Sequence, residues 1–178
     1  MRLFSILPVI AAAVFGTRSV VGRHSIYHDS IVDLDEVTAT SYDLQALAFS
    51  LTAANFAVES PKIVSGLYDL VAIGAQFDNQ AFDRKAMDAE QAQKVLAELT
   101  VFANAQRTLM GELIQKYPLA SENHFTAQIA EGIRAVQSGT YEAGDGFTHI
   151  VPPSSVKAVK AQFHSINVAI QDALATYS

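Results

Sequence analysis

Apolar residues recur at three- and four-residue intervals along nearly the whole chain, and strand-like alternation is almost missing, so the pattern predicts an all-α protein. The clearest stripe is Ala92, Val95, Leu96, Leu99, Phe102, Ala103, Gln106, Leu109, Met110 and Leu113, with Glu90, Lys94 and Glu98 on the opposite face. Asp88 followed by Gln91 supplies an N-cap and a capping box ahead of it, and Pro118 is expected to end it. At roughly 1.5 Å per residue, the span from Asp88 to Pro118 gives a rod about 40 Å long. Glu90 with Lys94 and Glu112 with Lys116 have the acid-before-base order that favours ion pairs across one turn.

Three further helices follow the same rule. Ile31, Leu34, Val37, Leu44, Ala48 and Leu51 mark one from about Ser30, joined to the next through residues 52–59. Ser60 as N-cap and Pro61 at the first helical position open a second, with Ile63, Val64, Leu67, Leu70, Val71 and Phe77 on its inner face. Tyr68, Ala72, Ile73 and Ala75 widen that band, which predicts burial on several sides. Near the C-terminus Ser155 is placed to cap a helix whose seam is Val156, Val159, Phe163, Ile166, Ile170, Leu174 and Tyr177. Residues 122–151 are ambiguous. Phe125, Ile129, Ile133 and Val136 are periodic, yet Gly139, Gly144 and Gly146 each cost about 1 kcal/mol relative to alanine inside a helix. Either the helix ends near Gly139 or a weakened helix continues through Thr140, Ala143 and Phe147. A single-domain bundle of about five amphipathic helices over residues 30–178 accounts for the whole pattern.

The N-terminus departs from it. Met1 and Arg2 precede an apolar run over residues 3–15, followed by small residues, which is the layout of a secretory signal peptide over 1–22 with cleavage after Gly16 or Gly22. Residues 23–29 then form a flexible segment, and the protein is expected to be secreted, extracellular or associated with a cell wall. The chain has no cysteine, so no disulfide supports the fold in an oxidising compartment, and the core itself must stabilise it. Half of the residues are hydrophobic and only 17% are charged, an apolar balance for a secreted protein. No segment after the leader has the length and purity of a membrane span. A net charge of −6 with scattered basic residues makes nucleic acid an unsuitable partner.

Catalytic signatures are missing: there is no cysteine nucleophile, nucleophile elbow or phosphate-binding glycine loop. His24 and His28 share the i,i+4 spacing of a metal pair, but they fall in the N-terminal segment, and His124, His149 and His164 suit surface or helix-end positions. Asp29, Asp33, Asp35 and Glu36 surround a helix start, which the helix dipole explains without calcium. No enzyme activity, metal or cofactor is expected. Function then rests on apolar side chains. Phe77, Phe102, Phe125, Phe147 and Phe163 belong to a core that can also line a cavity, whereas Phe49, Phe56 and Phe82, if exposed together, would form a patch.

Some stretches resemble a known family. Val151, Pro152, Pro153, Ser154 and Ser155, leading to the terminal run Ile170, Gln171, Asp172, Ala173, Leu174, Ala175, Thr176, Tyr177 and Ser178, are similar to the fungal hydrophobic surface binding protein A family, which includes cell wall galactomannoproteins. Leu109, Met110, Gly111, Glu112, Leu113, Ile114, Gln115, Lys116, Tyr117 and Pro118 resemble that family's long central helix and its proline stop. The resemblance runs from about Ile31 to Ser178 and rests on apolar and small-residue patterns rather than on a catalytic signature. It implies a five-helix bundle, a continuous helix across Gly139 to Gly146, and binding of fatty acids or other lipids inside some members or adsorption to hydrophobic surfaces by others. It does not extend to the serine/threonine-rich tail and anchor signal of wall-attached relatives, so no lipid anchor is expected.

Two functions follow. In one, a long-chain fatty acid or other lipid lies between the helices against some of Leu67, Leu70, Val71, Phe102, Leu109, Ile129, Ile133, Phe163, Ile166 and Ile170. In the other, the protein coats hydrophobic surfaces or recruits a secreted hydrolase and has no internal ligand. A void of a few hundred cubic ångströms would favour the first, and a filled core with an exposed phenylalanine patch the second.

Overall fold

A computed structural model describes residues 26–81 and 86–178, and every regular element in them is helical. Five long helices, α1 (Ile26–Ser50), α2 (Phe56–Ala81), α3 (Ala89–Gln115), α5 (Thr126–Ile150) and α6 (Pro153–Tyr177), are joined by short connections, with one short helix, α4 (Tyr117–Glu122), between α3 and α5. Their packing order is a ring: α1 lies against α2, α2 against α5, α5 against α6, α6 against α3, and α3 closes back on α1. Gly66 of α2 faces Leu44 of α1, whereas Gly132 and Gly139 of α5 face Leu67 and Val71 of α2 in the same order. Thus α2 and α5 are parallel, and because Leu34 and Val37 of α1 meet Leu70 and Gly74 of α2 farther along, α1 and α2 are antiparallel. A ring of five helices leaves a wider axis than a ring of four, and side chains must fill the middle.

The expected stripes supply that filling. Ala92, Val95, Leu99, Phe102, Ala103, Gln106, Leu109, Met110 and Leu113 are all buried on α3. On α1 and one residue past its end, the inward positions Ser30, Leu34, Val37, Ser41, Leu44, Ala48 and Leu51 alternate four- and three-residue steps. The α3 capping box forms as expected: Gln91 N–H donates to Asp88 Oδ1 at 2.9 Å, and Asp88 N–H to Gln91 Oε1 at 3.1 Å. At the far end of the bundle Tyr177 Oη donates to the Leu113 carbonyl at 2.7 Å, and burial pushes its phenol pKa up. Among the described residues no helix is long and apolar enough to cross a membrane.

Several boundaries differ from expectation. Helix α1 begins at Ile26, so residues 26–29 are helical rather than part of a flexible segment. Helix α2 begins at Phe56, one turn before Ser60, and Pro61 lies inside it. The cause is Phe56, which is 2% exposed and packs edge-on against Phe125 with ring centroids 5.7 Å apart; burying that ring draws an extra turn into the helix. Tyr68 is 45% exposed and Ala72 is exposed too, so α2 is not buried on all sides. Helix α3 stops at Gln115, and Pro118, needing no amide partner in a first turn, starts α4 instead of ending the helical run. Pro153 does the same for α6, leaving Ser155 within its first turn. Glu90 pairs with Lys94 at 2.9 Å, but Lys116 reaches past Glu112 to the carbonyls of Phe49 (2.8 Å) and Leu51 (3.1 Å), acceptors that the end of α1 leaves open. The proposed signal peptide, His24, Phe82 and the Phe77 side chain lie outside the described residues.

The ambiguous stretch is one helix. Helix α5 runs unbroken through Gly139, Gly144 and Gly146. Gly132, Gly139 and Gly146 are spaced by seven, hence on one face, and all three are buried. A Cβ at Gly132 would stand 2.8 Å from Leu67 Cδ1 and 3.2 Å from Leu67 Cβ, and one at Gly139 3.4 Å from Val71 Cγ1. Glycine lets α2 approach α5 closely there, and that packing offsets the helical cost.

Candidate ligand-binding site

One internal space receives side chains from all five long helices. Leu34 and Val37 come from α1, Leu70, Val71 and Gly74 from α2, Phe102 and Gln106 from α3, Val136, Gly139, Thr140, Ala143 and Phe147 from α5, and Phe163 from α6. It sits in the half of the bundle that contains the α5–α6 turn, because it uses the late residues of α2 and α5 and the early or middle residues of α1, α3 and α6. The opposite half is filled by the Phe56–Phe125 pair and by Tyr117 against Tyr177, whose ring centroids are 5.3 Å apart.

The void itself is about 30 Å³. That admits a water molecule or two and is about tenfold below the few hundred cubic ångströms of a ready-made small-molecule pocket. The interior therefore accepts an acyl chain only if side chains part. Small residues make parting cheap on two walls: Gly74, Gly139 and Ala143 present almost no side chain, and a Cβ at Gly74 would meet nothing within 4 Å.

Two polar residues interrupt the apolar lining. Gln106 is 1% exposed; its Nε2 donates to Ser41 Oγ at 2.7 Å, Ser41 Oγ donates to the Val37 carbonyl at 2.6 Å, and Gln106 Oε1 is buried with no hydrogen-bond partner. Thr140 donates to the Val136 carbonyl at 2.7 Å, leaving its oxygen able to accept. A half-satisfied buried amide costs stability that a ligand's polar head can recover. Ser41→Ala strips Gln106 of its remaining partner. We expect it to lower stability by about 1–3 kcal/mol, and Ser41→Ala/Gln106→Leu to recover most of that, as read by denaturant unfolding.

Of the ten candidate contact residues, Leu70, Val71, Phe102 and Phe163 line the void, while Leu67, Leu109, Ile129, Ile133, Ile166 and Ile170 are packed in the core beyond it. Sequence reasoning did not single out Ser41, Gln106 or Gly74. The available signal was a glutamine inside the most regular apolar stripe, opposite a serine at an inward position of α1. The suspected aromatic patch is not formed by Phe49 and Phe56, since Phe49 is 71% exposed but Phe56 is buried. His124, His149 and His164 are exposed, and among the described residues no three metal-binding side chains are placed to hold an ion.

The architecture is that of a five-helix bundle with an apolar interior lined from every side, and solved structures share it. The chain superimposes on AfMP4p in complex with palmitic acid with a TM-score of 0.80 at 16% identity, covering 85% of this chain and 99% of that one. Ligand-binding domain 1 of the Penicillium marneffei MP1 protein, complexed with arachidonic acids, gives 0.79 at 8% identity over 86% and 99% of the two chains. Domain 2 of the same protein, complexed with multiple arachidonic acids, gives 0.74 at 11% over 89% and 99%. At such identities the likeness establishes a common fold. No family model matches the sequence, and no curated protein matches it by sequence.

Proposed function

We propose that this is a secreted, non-enzymatic binding protein for long-chain fatty acids or related lipids, with the acyl chain held between the five long helices. The observation that carries the reading is the apolar lining contributed by all five long helices, with a buried, half-satisfied amide at Gln106, in a fold shared with solved complexes of palmitic and arachidonic acids. The void of about 30 Å³ falls below the few hundred cubic ångströms that would favour an internal ligand by itself, so binding requires the side chains to part. Secretion rests on the signal-like residues 1–22.

The energetics favour it. Desolvating an acyl chain yields about 0.8 kcal/mol per methylene, roughly 10 kcal/mol for a long fatty acid, against which stand the ordering of the chain and the parting of the side chains. Among the described residues the lining holds no cation, and the open positions on Gln106 Oε1 and Thr140 Oγ1 are acceptors, which suit a protonated carboxyl group donating to them. Calorimetric titration of the full chain with palmitic acid is expected to give a Kd below about 100 μM, or more than about 5.5 kcal/mol. No heat and no saturation up to that concentration would overturn the assignment.

A further inference from the structure

We propose that the seam between α5 and α6 is the port through which a fatty acid reaches the interior, with Phe163 as its gate; this rests on the binding function above. A groove of about 290 Å³ runs along the outside of that seam, lined among others by Gly144, Asp145, Lys160, His164 and Asn167. Thr140 and Phe163 line both this groove and the internal void, so these two side chains form the partition between them. Phe163 is 5% exposed, and its ring lies 5.8 Å from that of Phe147.

The partition is built to move at Phe163. A Cβ at position 144 would come within 3.1 Å of Phe163 Cγ, so the ring rests in a notch that only glycine provides on α5. A ring seated against backbone swings outward by rotation of its own side chain, without separation of the helices, and joins groove to void. The groove also suits an arriving carboxylate. Lys160 puts a cation at its rim in a chain of net charge −6, beside the exposed Asp145 carboxylate, and His149 Nδ1 lies 2.8 Å from the Asp145 carbonyl oxygen. Asn167 Oδ1 is buried there without a hydrogen-bond partner.

Stopped-flow fluorescence of the full chain with cis-parinaric acid tests the port. Phe163→Ala is expected to raise the association rate constant at least tenfold, while Phe56→Ala, an equal truncation in the opposite half of the bundle that lines neither void nor groove, leaves it within about threefold of wild type. Lys160→Glu is expected to slow association about fivefold at low ionic strength, an effect that fades as salt screens it, and Arg134→Glu, the same charge change on an exposed part of α5 outside the groove, to slow it less than twofold. If the alanine variants do not fold, the surface charge pair decides alone. Equal responses within either folded pair overturn the port while wild-type binding stands. Failure of the wild-type protein to bind overturns the binding function and the port together.

Discussion

Gly74→Leu should weaken palmitic acid binding about a hundredfold while leaving the helical circular dichroism spectrum unchanged. Gly74 is buried on α2 at the edge of the void, and a Cβ there points into open space. The four carbons of a leucine side chain occupy volume that an acyl chain would otherwise use. At about 0.8 kcal/mol per displaced methylene the loss is roughly 3 kcal/mol, two decades in Kd. In the free protein the helix propensity of leucine, better than glycine by close to 1 kcal/mol, offsets part of the cost of fitting four carbons beside a void of only about 30 Å³. Gly111→Leu is the control: its Cβ also meets nothing within 4 Å, but Gly111 lies on α3 away from the void. It should leave affinity unchanged. Equal weakening by both variants would show that the void is not the binding site.

Gly132→Val should act in the opposite direction on stability. Its side chain would be driven into Leu67, whose Cβ stands too near to rotate away. Overpacking of this kind costs about 2–3 kcal/mol, and in a protein of this size that lowers Tm by roughly 4–12 °C. A Tm equal to or above that of wild type would mean that α5 does not approach α2 as closely as described.

These two glycines also show what the sequence did and did not disclose. The long helices, the α3 capping box and nearly every buried position of α3 and α6 follow from spacing, because burial on one face of a helix imposes a period that survives in the residues. Gly132, Gly139 and Gly146 carry a seven-residue period of their own, which marks a close helix contact, but glycine weighed by propensity alone counts only as a cost. Boundaries moved wherever a tertiary contact outweighed a local signal, as at Phe56, whose burial against Phe125 starts α2 a turn early. The lining of the void was half legible. Inward-facing residues were identified, but the position along the axis where five helices leave a gap depends on which large side chains meet at the same level. That put Leu70, Val71, Phe102 and Phe163 at the void and Ile129, Ile133 and Ile170 in solid core. Ser41 and Gln106 meet across 65 positions of sequence, a pairing that no local pattern encodes.

Isotope-filtered nuclear Overhauser spectroscopy of the full chain with uniformly ¹³C-labelled palmitic acid addresses the central claim most directly. Methylene protons of the bound chain are expected to show cross-peaks to the methyl groups of Leu34, Val37, Leu70, Val71 and Val136 and to the rings of Phe102 and Phe147, residues from four helices that no surface contact could reach at once. Cross-peaks confined to exposed residues such as Phe49 and Val58, with none to the void-lining methyls, would contradict an internal ligand and make this protein one that meets lipid only at its surface.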